Sequence, residues 1–74
     1  MDLKNNPYYQ IGVHKGIQVA QHIEDTTYGT IEVALKRKRE LVEELKKLHG
    51  KDHKDVAETL GIIAALEQEK SKDE

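Results

Sequence analysis

The chain predicts an all-α fold, and three observations carry that prediction. Two amphipathic stretches, residues 31–48 and 53–69, flank a single glycine, Gly50. Their apolar residues recur at steps of three and four, which gathers them on one face of a helix. Asn6-Pro7 supplies a start for a further helix nearer the N-terminus. Asn caps the free amides of a first turn, and Pro suits the first helical position. The expected architecture is three helices, at residues 7–24, 27–49 and 52–70, the last two closing as an antiparallel hairpin. The first helix either packs across that hairpin or swaps onto another chain's.

On the first helix, Tyr9, Gly12, Val13, Gly16, Ile17, Val19, Ala20 and Ile23 share one side, and only Ile11 is misplaced. Gly12, Gly16 and Ala20 lie four apart and form a smooth stripe along that face. Such a stripe lets another helix approach closely. Either the second helix of this chain packs there, or a second chain docks there. A rival pattern runs through the same residues. Tyr9, Ile11 and Val13, then Ile17 and Val19, alternate, and His14-Lys15-Gly16 would close a β-hairpin across residues 8–23. Helix is preferred because the cap and the separation of faces agree, whereas the hairpin leaves Asn-Pro unused.

Asp25-Thr26-Thr27 ends the first helix and offers a cap for the second. There Tyr28, Ile31, Ala34, Leu35, Leu41, Val42, Leu45 and Leu48 share one arc, and within it positions 31, 34, 38, 41, 45 and 48 step by three and four, the spacing of a packed seam. Lys38 interrupts the seam, either snorkelling to solvent or pairing with an acid such as Glu24 or Glu67. Glu32 with Lys36 and Glu43 with Lys47 are correctly ordered pairs on the outer side. Gly50 ends the helix, and Asp52 or Asp55 caps the third, whose apolar stripe is Val56, Leu60, Ile63 and Ala64, broadened by Ile62 and Leu66. The whole chain reads as one small domain, with residues 1–5 and 71–74 frayed at its ends.

Residues 41–66 carry a partial likeness. Leu48-His-Gly-Lys-Asp-His-Lys-Asp-Val-Ala-Glu-Thr-Leu60 resembles the junction between repeats in kinesin-light-chain-like tetratricopeptide proteins. In that family a helix ends in Leu-Gly, Asp-His-Pro-Asp-Val-Ala follows, and the next helix continues Leu-Asn-Asn-Leu-Ala. Here Lys54 stands for the Pro, Gly61-Ile62 for the two Asn, Glu67 for an aromatic residue and Ser71 for a Gly. The resemblance implies a helix–turn–helix at this junction. It transfers no peptide-binding residue, because the Asn pair is missing, and solenoids need about three repeats to bury their faces.

Composition narrows the function. At 74 residues the chain is below the size at which one core is comfortably stable alone. With no cysteine, disulfides and thiolate metal sites are excluded, which fits a reducing, cytoplasmic setting. No apolar run approaches the ~18 residues that span a membrane. The start lacks the apolar run of a signal peptide. His49 and His53 are four apart but separated by Gly50, and no third ligand completes a metal site. Ser71 is the only serine, and no nucleophile–base pair or phosphate-binding loop is present, so neither catalysis, a cofactor nor a small-molecule substrate is expected.

What remains is binding. A thin core and wide apolar faces predict a homodimer or larger assembly, with Gly12, Gly16, Ala20, Ile31, Lys38, Leu41 and Leu45 as the packing or docking face. The leading reading is a protein–protein interaction module that works stoichiometrically as an adaptor or inhibitor on an unidentified protein. By analogy of size and composition alone, it stands beside small bacterial and phage proteins. A second reading is a nucleic-acid-binding regulator using Lys36, Arg37 and Arg39 with Lys46 and Lys47. Against it stand the net charge of −2, the acids Glu40, Glu43 and Glu44 directly following, and the lack of interleaved aromatics. A third reading is a structural subunit whose only partner is itself.

Overall fold

Three α-helices make up the fold in a computed structural model that describes residues 3–72: α1 (Pro7–Gln21), α2 (Ile31–His49) and α3 (Lys54–Lys72). The class is all-α. Residues 8–21 lie within α1 and no strand forms among the described residues, so the β-hairpin alternative fails. Asn6 decides the matter locally: its side-chain oxygen accepts from the Tyr8 amide at 2.8 Å and the Tyr9 amide at 3.4 Å, with Pro7 opening the helix.

The boundaries move in three places. α1 ends at Gln21 rather than residue 24, because the chain tightens into a 3-10 turn at Ile23–Asp25 that folds Ile23 back onto the core. The second helix starts at Ile31 instead of residue 27. Gly29, at φ +78°, breaks the path, and Thr30 is the cap, accepting from the Val33 amide at 3.3 Å. Neither Asp52 nor Asp55 caps α3; the His53 Nδ1 accepts from the Asp55 amide at 3.2 Å. Gly50 does close α2, with φ +86° and its amide donating to the Lys46 carbonyl at 2.9 Å. Of the ends expected to fray, residues 1–2 and 73–74 lie outside the described residues. Leu3–Asn5 form a 3-10 turn, and residues 71–72 belong to α3.

α3 is the central element. Both other helices pack on it, α1 more extensively than α2, while α1 and α2 make almost no contact with each other. The contacts rise in step along α1 and α3: Gly12 lies on the Glu58 backbone, and Gly16 on Ile62 and Ala65. The two helices are therefore parallel, and α2 returns between them in sequence as the antiparallel arm of the hairpin. Val56 and Leu66 are fully buried, and Ala34, Leu35, Val42, Ile62 and Ile63 complete the core. Thr59, the one buried polar residue among those described, donates its hydroxyl to the Asp55 carbonyl at 2.8 Å.

Close approach of α1 to α3 depends on glycine from both sides. A Cβ on Gly16 would stand 2.6 Å from the Ala65 Cβ and 2.7 Å from the Ile62 carbonyl oxygen. One on Gly61 would fall on the Tyr9 carbonyl and lie 2.9 Å from the Val13 nitrogen. Ala57, Gly61 and Ala65 are four apart on α3 and all buried, which makes a second smooth stripe facing the first. With side chains absent there, dispersion contacts are made backbone to backbone.

Candidate interaction surface

The glycine stripe does not face solvent. Gly12 and Gly16 are buried against α3, not against α2, and Ala20 packs on the core. Their role is intrachain helix packing. The partner stripe on α3 was not anticipated, although the spacing of Ala57, Gly61 and Ala65 is the same as that of Gly12, Gly16 and Ala20.

On α2 the packed face keeps Ile31, Ala34, Lys38 and Leu45 of the expected seam and leaves out Leu41 and Leu48. Ala34, Leu35 and Val42 are buried, Ile31 and Leu45 are half-buried against the core, and Leu41 and Leu48 are exposed at 38% and 74%. The contact line is 31, 35, 38, 42 and 45, in steps of three and four, with the fully buried Ala34 beside it. Leu35 and Val42 direct the helix that way, because a helix with one partner buries one narrow arc. Leu41 and Leu48 are left at its edge. Lys38 does lie on the line, half-buried, with its ammonium 5.8 Å from the centre of the Tyr28 ring. Its proposed partner Glu67 instead holds Arg39 at 3.0 Å.

The basic cluster disperses around the helix. Lys36 and Arg37 are exposed, Lys38 faces Tyr28, and Arg39 turns toward α3. Further along, Lys46 lies 3.7 Å from Glu43, one residue nearer than the predicted Lys47 pairing, and Lys47 is exposed. Lys15 on α1 pairs with Glu58 on α3. The His49 and His53 rings stack, 4.3 Å between centroids. Among the described residues no group of three His, Cys, Asp or Glu stands close enough to hold a metal, and no helix is long and apolar enough to cross a membrane.

Because α1 and α2 both lean on α3 without meeting, an open groove of about 470 Å³ lies between them. Lys15, Gln18 and Val19 form one wall, Lys38 the other, Glu58 and Ile62 the floor, and Thr26 and Tyr28 the end. Nearer the start of α1, Tyr8 and Ile11 are exposed at 42% and 45%. Ile11 lies one turn and Tyr8 two turns before Lys15 on the same side of the helix. No protein-family model, curated protein or solved structure matches this chain.

Proposed function

We propose that the chain is a small protein–protein interaction module, an adaptor or inhibitor that works stoichiometrically by covering a surface of its target. The supporting observation is the set of large apolar side chains left outside after the helices have packed: Tyr8 and Ile11 on α1, Leu41 and Leu48 on α2. Tyr8 and Ile11 stand a turn apart on one side of α1 and so form one apolar patch, which supports the reading more than a singly exposed leucine does. Aromatic and aliphatic anchors of this kind carry most of the energy in protein interfaces. The absence of cysteine supports a reducing, cytoplasmic setting.

The test is retention from the source cell on immobilised wild-type protein beside the Ile11→Glu variant, which alters an exposed side chain only. A protein held at one-to-one stoichiometry by wild type and lost with the variant is the expected result. Equal retention by both would remove α1 from the interface, and no retained protein would remove the reading.

The self-assembling reading keeps one observation in its favour, the leucine edge of α2. The nucleic-acid reading has none, since its cations point in different directions and two of them are paired with acids.

A further inference from the structure

We propose that the groove between α1 and α2 receives an acidic side chain of a partner protein, its carboxylate meeting the Lys38 ammonium and its apolar neighbours lying on Val19 and Ile62. The proposal rests on the protein-binding reading above and names the chemistry of the partner segment that reaches this groove.

Lys38 sits on the packed line of α2, half-buried, where a charged side chain gives up part of its hydration. No carboxylate pairs with it among the described residues. Glu67, an acid within reach of α2, binds Arg39 instead. What Lys38 does meet is the Tyr28 ring, 5.8 Å from its nitrogen. A ring face attracts a cation but supplies no counter-charge. The fold thus holds an uncompensated cation beside a concave surface whose floor and far wall offer Ile62 and Val19.

The charge of the groove selects its occupant. On the opposite wall Lys15 is already neutralised by Glu58 in the floor. Lys38 is left as the net charge, which one carboxylate balances. A phosphate dianion would bring excess charge against it and would face Glu58 as well. At about 470 Å³ the groove has room for an acidic side chain and its aliphatic neighbours. Position favours a protein chain over a free small acid. Lys15 lies one turn beyond Ile11 on the same side of α1, so a segment seated on Tyr8 and Ile11 continues into the groove.

The probe is a capped pentapeptide, Ac-Ala-Leu-Glu-Leu-Ala-NH2, beside its counterpart with Gln in place of Glu. Each is titrated into isotopically labelled protein and followed by amide chemical shifts. The Glu peptide should bind with a dissociation constant of about 1 mM and shift the amides of Val19, Tyr28 and Lys38. The Gln peptide should bind about tenfold more weakly. Lys38→Met keeps the apolar stem and drops the charge. It should weaken the Glu peptide about tenfold, leave the Gln peptide unchanged, and preserve helical circular dichroism and melting temperature. Glu58→Gln should tighten the Glu peptide about threefold, since it frees Lys15 and removes a carboxylate from the floor. Equal affinity for the two peptides overturns the proposal, as does binding of the Glu peptide that is indifferent to Lys38→Met. Absence of any shift at about 10 mM peptide overturns it too. None of these results touches Tyr8 or Ile11, so the groove can fail while binding of a target through α1 stands.

Discussion

Gly61 is, with Gly12, one of two positions where a single added atom would fall on the backbone of the facing helix. Its missing side chain is the space occupied by the Tyr9 carbonyl, and backbone cannot move aside as a flexible side chain can. Gly61→Ala is therefore expected to destabilise by about 2–3 kcal/mol despite the better helix propensity of alanine, which alone would stabilise by about 1 kcal/mol. Thermal or urea unfolding measures it, and a neutral or stabilised variant would mean that α1 and α3 are not in backbone contact. Gly16→Ala should act in the same direction through Ala65 and Ile62. Gly50 differs in kind. Nothing lies within 4 Å of a Cβ built there, so its requirement is conformational, set by φ +86° at the end of α2.

Among the elements, α2 separates what spacing alone reveals from what packing decides. The expected seam and the actual contact line both run in steps of three and four; they share Ile31, Lys38 and Leu45, Ala34 of the seam is buried as well, and they part at Leu41 and Leu48 against Leu35 and Val42. Periodicity fixes that a helix is amphipathic, while the partner fixes which arc of a wide apolar face is covered. The two lines predict opposite mutational outcomes. Leu35→Ala, at a residue 3% exposed, should cost about 2–4 kcal/mol. Leu41→Ala, at 38% exposed, should change monomer stability by less than about 1 kcal/mol. Chemical denaturation of the two variants at a concentration low enough to exclude self-association checks the assignment, and equal costs would return α2 to the original seam. The caps show the same division. Asn6-Pro7 and Gly50 were legible because each acts on its immediate neighbours. The start of α2 was not, because Thr26, Thr27 and Thr30 are all competent caps, and the positive φ of Gly29 chooses among them. The candidate surface was legible only as a set of apolar residues. Which of them would remain outside depended on Gly61 drawing α1 onto α3, a pairing between segments some 45 residues apart in the chain.

At the scale of the whole molecule, the order of packing determines which parts can stand alone. A hairpin of α2 and α3 looks self-contained in sequence, yet α3 buries one flank against α1 and the other against α2. Ala57, Gly61, Ile62 and Ala65 would face water if α1 were absent, and a glycine-bearing helix with an uncovered face is a poor helix. The remaining α2–α3 contact rests on little more than Leu35, Val42, Val56, Ile63 and Leu66, a core well below what stabilises a chain of this size. A fragment comprising residues 27–74 is therefore expected to lose more than about half of the helical circular dichroism per residue of the intact chain, and to melt without a cooperative transition. Adding a peptide of residues 1–26 in excess should restore part of the signal, since α1 reaches α3 through side-to-side packing and needs the connecting segment only for proximity. A fragment as helical and as cooperative as the full chain would show that the hairpin is the folding unit and α1 an appendage. In that case the close α1–α3 contact would be a docking event rather than part of the core, and the glycine stripes would return to consideration as a surface that a second chain can use.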